Sequence, residues 1–229
     1  HIFFAAAQIG AVLVPINTRL RTSDLQYVLK QSDTTTLITI DQSGPVNYLH
    51  MVTEIYPEVL KTPPEDLFSV SFPELKRIII LGQEQTLGTL DWQDLISQSD
   101  SVSDLELRER QKSVSPDDTV LLMYTSGTTG FPKGVMHNHN ILRVTTDSIN
   151  RMGMTANDVV LMYLPLFHAF GLYEGALMFI QAGSKMILTE TFEPAEALAL
   201  IEQERATMLH GFDTHFYDLT THPNGTKTD

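Results

Sequence analysis

The segment Thr125-Ser126-Gly127-Thr128-Thr129-Gly130-Phe131-Pro132-Lys133-Gly134 gathers three glycines, four hydroxyls and one lysine into ten positions, directly after the apolar run Val120-Leu121-Leu122-Met123. Glycine reaches positive φ without steric cost and lets a backbone approach a ligand closely, so Gly127 and Gly130 can turn successive N–H groups toward one anion. The hydroxyls of Thr125, Ser126, Thr128 and Thr129 add donors, and Lys133 supplies a mobile ammonium as counter-charge. This is chemistry for a polyphosphate. The common NTPase loop requires Gly-Lys followed by Ser or Thr, whereas Lys133 stands between Pro132 and Gly134. A plain turn needs one or two such residues and has no use for the lysine. Ser126 lacks the Gly-x-Ser-x-Gly setting of a hydrolase nucleophile.

A second block follows at Leu164-Pro165-Leu166-Phe167-His168-Ala169-Phe170-Gly171. Taken alone, a histidine flanked by Phe167 and Phe170 reads as a hydrogen-bonded core residue. The pairs His137/His139 and His210/His215 invite a metal reading, but no Asp, Glu or Cys at supporting spacing completes a zinc set.

From Tyr124 to Val135 the chain resembles the phosphate loop of the adenylate-forming superfamily, (Phe/Tyr)-Thr-Ser-Gly-Thr-Thr-Gly-x-Pro-Lys-Gly, and matches that pattern throughout. The superfamily comprises acyl-CoA synthetases, related acid:CoA ligases, luciferases and the adenylation domains of peptide synthetases. Leu164–Gly171 is similar to its Pro-x-Phe-His-x-Gly-type block, and family-like texture runs from Ala11–Asn17 to the segment around Pro194–Ala206. The resemblance is closest to acyl-CoA synthetases. It implies two half-reactions, in which a carboxylate attacks the α-phosphate of ATP to give an acyl-adenylate and pyrophosphate, and the thiol of coenzyme A then displaces AMP. It assigns Ser126, Gly127, Thr128, Thr129, Gly130 and Lys133 to the ATP phosphates, with Thr125 also toward Mg2+. Lys133, Thr129 and His168 are the implied catalytic residues, His168 orienting the carboxylate. Phe167, His168, Phe170, Gly171, His210 and Gly211 are implied on the substrate side.

Amino-acid-activating relatives carry an aspartate in the second block, and Leu164–Leu172 contains no acidic residue. The departure implies an acid without an α-ammonium, most simply a fatty acid. His210-Gly211-Phe212-Asp213-Thr214 stands where relatives carry Gly-x-Pro-Thr or Val-Pro-Thr, so Asp213 replaces the usual proline. An aryl or luciferase-like ligase shares both motifs, and a non-catalytic nucleotide-binding fragment is the reading from another class. Against the family pattern the adenine and ribose motifs, the hinge and the small C-terminal domain lie outside the sequence. An internal fragment of the large N-terminal domain, inactive alone, is therefore expected.

With 229 residues, 42% hydrophobic and 19% charged, the chain has the composition of a folded globular protein rather than a disordered one. A formal net charge of −13 argues against nucleic acid and anionic membrane surfaces as partners; small molecules are the expected partners. No cysteine is present, which excludes disulfides and thiolate chemistry and accords with a cytoplasmic setting. The apolar stretch Ile2–Ile16 contains Gln8 and Pro15 and falls short of the roughly 20 apolar residues of a spanning helix.

The elements that must position these motifs follow from periodicity. Leu25, Val28 and Leu29 mark one face of a helix with Thr22 as its N-cap, Thr34–Ile40 reads as a strand, a helix lies within Val46–Val59, and Arg77–Leu81 reads as a buried strand. Gln83–Pro116 reads as a polar connection with a short helix around Trp92–Ile96. Thereafter strands at Thr119–Tyr124, Val159–Leu164, Met186–Thr189 and Thr207–His210 alternate with helices at Asn140–Arg151, Leu172–Ala182 and Pro194–Ala206. This alternation predicts an α/β fold of mixed, largely parallel sheets with helices on the faces. Residues 1–116 are expected to form a first α/β subdomain portion with the polar connection, and residues 117–229 a second carrying the phosphate loop.

Overall fold

Arg77–Ile80 (β4) carries three isoleucines that are all buried, and it is the middle strand of a parallel sheet ordered β1-β4-β5, flanked by Thr36–Thr39 (β1) and Leu90–Asp91 (β5). A β-branched run with no polar alternation suits a strand covered on both faces. The computed structural model describes residues 1–125 and 131–225, which form two compact units.

The first unit comprises His1–Ser115 and Val120–Met136. Along it run Ile2–Gln8 (α1), Thr22–Gln31 (α2), β1, a hairpin of Gln42–Ser43 (β2) with Val46–Asn47 (β3), Tyr48–Ile55 (α3), β4, β5, Trp92–Ser97 (α4) and Asp104–Lys112 (α5). Thr119–Thr125 (β6) and Lys133–Asn138 (β7) pair as a two-stranded sheet, and Leu13 bridges in parallel to Leu121. Leu25 and Leu29 of α2, Leu49 and Val52 of α3, and Ile78 and Ile80 of β4 share one core with Tyr56 and Val59. Each such side chain, fully buried, contributes about 1.5–3 kcal/mol.

Within the polar stretch Gln83–Pro116 the structure holds a second helix, α5, beyond the one around Trp92–Ile96. None of its residues is buried, so no apolar stripe announces it. It is held at its start by a capping box: Ser103 Oγ accepts from the Glu106 N–H, and Glu106 returns a carboxylate oxygen to the Ser103 N–H at 2.9 Å. Arg110 Nε then donates to the Ile9 carbonyl at 2.7 Å. Helix α2 begins at Thr22 itself, with Arg21 rather than Thr22 as N-cap, because the Thr22 hydroxyl is turned to Glu54.

The second unit comprises Pro116–Thr119 and His137–Asp229. After Ile141–Met152 (α6), Val159–Met162 (β8) is the central strand of a parallel sheet ordered β10-β8-β9, with Lys185–Leu188 (β9) and Met208–Leu209 (β10) at its edges. Between β8 and β9 the chain winds as a π-helix, Phe170–Leu177, that runs into Met178–Ala182 (α7). Pro194–Glu204 (α8) opens on its proline, whose missing N–H costs nothing there. Asp213–Thr221 (α9) has no counterpart in the periodicity reading. Ala197 and Leu198 of α8 and Leu219 of α9 pack on Leu161–Leu164, while Met178 and Phe179 pack with Met154 and Val160. Both three-stranded sheets are parallel and the hairpin is antiparallel, giving the mixed, largely parallel α/β architecture that alternation predicts.

Candidate functional site

In the first unit the motif follows strand β6. Ser126, Gly127, Thr128, Thr129 and Gly130 lie outside the described residues; Thr125 and Phe131–Gly134 bracket them. Thr125, the last residue of β6, has an exposed side chain and donates its hydroxyl to the Lys133 carbonyl at 3.4 Å. Lys133 opens β7 with its side chain exposed, and its ammonium forms no ion pair with any described residue. The motif is thus bracketed by the carboxyl end of β6 and the first residue of β7.

Helix α2 braces both flanks of this loop. Tyr27 stacks on Phe131 with ring centroids 5.3 Å apart and donates its hydroxyl to the Pro132 carbonyl at 3.2 Å. Gln31, one turn further, accepts a short hydrogen bond from the Tyr124 hydroxyl. Burial raises the Tyr124 phenol above its ordinary value, so it remains a neutral donor. The sequence reading used only the buried face of this helix and missed Tyr27 and Gln31. Their spacing of four on one surface stripe is the signal that could have found them.

In the second unit the chain beyond β8 carries the other block. His168 is exposed rather than part of the core: its N–H donates to the Pro165 carbonyl at 3.1 Å, and its Nδ1 accepts from the Phe170 N–H at 3.3 Å. This leaves Nε2 as the ring nitrogen not engaged by the turn. Phe167 and Phe170 are half-buried and Gly171 is buried. A Cβ on Gly171 would stand 2.3 Å from the Pro165 carbonyl oxygen, so only glycine closes this turn into the π-helix.

His210 follows β10 and is 8% exposed; its ring stacks on Phe170 at 5.9 Å and meets Phe179 edge-on at 5.6 Å. Burial lowers its imidazole pKa, partly opposed by Glu174, so the neutral form is favoured. Gly211 lies against Tyr163, whose hydroxyl would be 2.7 Å from a Cβ at that position. Thus Phe170, His210 and Gly211 share one neighbourhood, joined by Tyr163, Phe212 and His215, which sequence reading left out of the site. His137 meets Tyr173 at 5.4 Å, and burial pushes the Tyr173 phenol up to about 12. At the start of α6 the Asn138 Oδ1 accepts from the Asn140 N–H at 3.1 Å.

Among the described residues no three His, Cys, Asp or Glu side chains converge to hold a metal ion. The exposed Thr125 hydroxyl is an oxygen donor of the kind hard cations take, which fits a Mg2+ whose remaining ligands come from phosphate and water. No described helix is long and apolar enough to cross a membrane.

The chain belongs to the family described as AMP-binding enzyme, whose pattern it matches over residues 1–229. It is 38% identical over 222 residues to YngI of Bacillus subtilis (strain 168), covering 96% of this chain and 40% of that protein. It is 30% identical over 232 residues to the mitochondrial medium-chain acyl-CoA ligase ACSF2 of Mus musculus, covering 98% of this chain and 38% of the relative. The chain thus spans about 40% or less of the length of these curated relatives. Its fold is similar to that of the anthranilate CoA ligase AuaEII solved in complex with anthranoyl-AMP, with a TM-score of 0.73 at 21% identity over 99% of this chain and 40% of that one.

Proposed function

We propose that the chain serves ATP-dependent activation of a carboxylic acid, followed by thioester formation with coenzyme A. The observation that carries the reading is the uninterrupted Tyr124–Val135 motif inside a chain that matches the AMP-binding family from end to end. In the first half-reaction a carboxylate oxygen bonds to the α-phosphorus of ATP while the bond to pyrophosphate breaks. In the second the thiol sulfur bonds to the acyl carbon and AMP departs.

Charge accumulates on the departing pyrophosphate, and donors already aimed at it lower the barrier without reorganising. Lys133, exposed and without an ion-pair partner among the described residues, supplies the mobile cation; Ser126, Gly127, Thr128, Thr129 and Gly130 supply the amides and hydroxyls, with Thr129 and Lys133 the catalytic pair. Thr125 would hold Mg2+, which when bound neutralises phosphate charge. His168 presents Nε2 to orient the carboxylate, with Phe167, Phe170 and Gly171 beside it. His210 and Gly211 belong to the acyl side. The names of relatives such as the medium-chain ligase ACSF2 support a fatty acid as substrate, and the chain by itself is expected to be inactive.

The test is carboxylate-dependent ATP–pyrophosphate exchange by an intact ligase containing this chain, over a panel from short to long fatty acids and aryl acids. Lys133→Ala should lower kcat/KM by about 100-fold or more, the scale of losing one preorganised charge-stabilising donor. Undiminished exchange in Lys133→Ala sinks the assignment.

A further inference from the structure

His168 spends three of its polar groups inside its own turn. Its N–H donates to the Pro165 carbonyl at 3.1 Å, its carbonyl accepts from the Leu172 N–H at 2.9 Å, and its Nδ1 accepts from the Phe170 N–H at 3.3 Å. The last bond fixes where the ring carries its hydrogen. A main-chain N–H can only donate, so the nitrogen that meets it must present a lone pair. An imidazole whose Nδ1 accepts in this way has its hydrogen on Nε2. Turning the ring over would set a carbon against the Phe170 N–H and forfeit the bond.

Phe170 is itself held in place. It is the first residue of the π-helix, next to Gly171, whose main chain lies so close to Pro165 that a Cβ would stand 2.3 Å from the Pro165 carbonyl oxygen. Its half-buried ring meets the His210 ring at 5.9 Å and the Phe212 ring edge-on at 5.4 Å. His210 is 8% exposed and lies against the fully buried Phe179, so the Phe170 ring rests on the interior of the second unit. The N–H that meets His168 is therefore fixed twice, by the tight main chain of the turn and by the packing of the ring. The same device recurs at His215, whose Nδ1 accepts from the Phe212 N–H at 3.0 Å.

What this leaves for a substrate is one group. The His168 side chain is exposed, and Nε2 is not engaged by the turn. A carboxylate offers acceptors only, and the carbonyl of an acyl-adenylate is an acceptor too. A lone pair on Nε2 would repel either one, whereas an Nε2–H bonds both. A proton-accepting role is opposed by the same turn: the imidazolium carries hydrogen on both nitrogens, so forming it means giving up the bond from Phe170.

We propose that Phe170 is a positioning residue for acid activation: its main-chain N–H holds His168 in the Nε2–H form, so that His168 donates a hydrogen bond to the carboxylate of the acid and exchanges no proton with it. The assignment rests on the acid-activation reading above and specifies what its histidine does. A donor held in this way acts through orientation, because the ring has neither to rotate nor to move its hydrogen when the acid arrives.

The test uses the intact ligase with heavy nitrogen in its histidine rings, read by NMR, the His168 signals being identified by their loss in His168→Gln. Free and acid-bound enzyme should both show hydrogen on Nε2 and none on Nδ1. Hydrogen on Nδ1 in the free enzyme, or on both nitrogens with acid bound, overturns the assignment. Phe170→Ala keeps the N–H and removes the ring that steadies it, so it should mix the two ring forms of His168 and lower kcat/KM for the acid by about tenfold or more. Lowered kcat/KM with the His168 signals unmoved would make Phe170 a substrate contact alone and overturn its positioning role. In ATP–pyrophosphate exchange, His168→Asn retains an acceptor for the Phe170 N–H but has no donor at the Nε2 position, and should lose about 100-fold in kcat/KM. His168→Gln, whose amide nitrogen reaches that position, should recover about tenfold of the loss; equal activity of the two variants overturns the donor role. Should any variant fail to fold, the wild-type spectra still decide. Absence of exchange with every acid overturns the activation reading and the donor role with it, while the spectrum of the free ligase still reports whether Phe170 fixes the ring.

Discussion

Gly171→Ala is the perturbation whose magnitude follows most directly from the coordinates. The added Cβ would lie 2.3 Å from the Pro165 carbonyl oxygen, 2.8 Å from its carbon and 3.0 Å from the Leu164 carbonyl oxygen. All three are backbone atoms, so no rotamer change relieves the contact, and the turn from Leu164 to the π-helix must open. Overpacking of this kind costs about 1–3 kcal/mol, with backbone neighbours placing it near about 3. For a chain of this size that is a fall of about 6–12 °C in Tm. Gly175→Ala is the control: its Cβ would lie 2.0 Å from the Met162 terminal methyl, the far end of a flexible side chain that can swing aside. Thermal unfolding followed by near-UV circular dichroism should rank Gly171→Ala well below Gly175→Ala. Equal midpoints, or a shift under about 2 °C for Gly171→Ala, would refute the claim that this glycine is demanded by the turn. Because the same turn holds His168 through Pro165 and Phe170, the substitution should also lower kcat/KM for the acid in the intact ligase.

Two further outcomes are expected. Tyr27→Phe keeps the ring on Phe131 and loses one hydroxyl, so the KM for ATP in the intact ligase should change less than about twofold, whereas Tyr27→Ala removes the stack as well and should raise it about fivefold or more; equal effects would separate the brace from the loop. Asp158 accepts from the Thr155 N–H at 2.7 Å and from the Thr207 hydroxyl at 2.9 Å, bonds that hold its carboxyl below the ordinary value of 3.8. A carboxyl depressed on folding stabilises the protein above its unfolded pKa and loses that contribution as pH falls through its folded pKa. Asp158→Asn should therefore lower Tm at pH 7, with the gap closing only as pH falls below the ordinary value of 3.8 and through the depressed folded pKa, as read from Tm across a pH series; a gap that stays constant throughout the acid limb would contradict it.

The legible parts of the fold were those in which local chemistry and tertiary demand agree. Ile78–Ile80 could be read as a covered strand because β-branched residues without polar interruption have few other uses, and Pro194 marked the start of its helix by its own geometry. Helix α5 escaped because a helix with no buried face has no periodicity to detect; only Ser103 and Glu106, three apart, announced it. The periodicity places a helix at Leu172–Ala182 but not its π winding over Phe170–Leu177: with Glu174 the one charged residue of that run, neither a 3.6-residue nor a wider winding leaves a distinct stripe. Among the candidate site residues, the loop is proposed from glycine, hydroxyl and lysine at fixed spacing, which state their chemistry locally, whereas His168 is proposed only from the resemblance of its block. Tyr163 could not be found that way. Its place beside Gly211 comes from the pairing of β8 with β10, a property of the folded sheet rather than of any stretch of chain.

Helix α2 presents two faces with different duties: Val28 and Leu29 are sunk in the first unit's interior, while Tyr27 and Gln31 grip Pro132 and Tyr124 on either side of the glycine-rich motif. One rigid rod thus links interior fit to loop posture. Under the proposed function, a Val28 or Leu29 variant chosen as a pure stability lesion would tilt the rod and register as weakened ATP affinity, so a defect in ATP handling would not by itself locate a mutation near the phosphates.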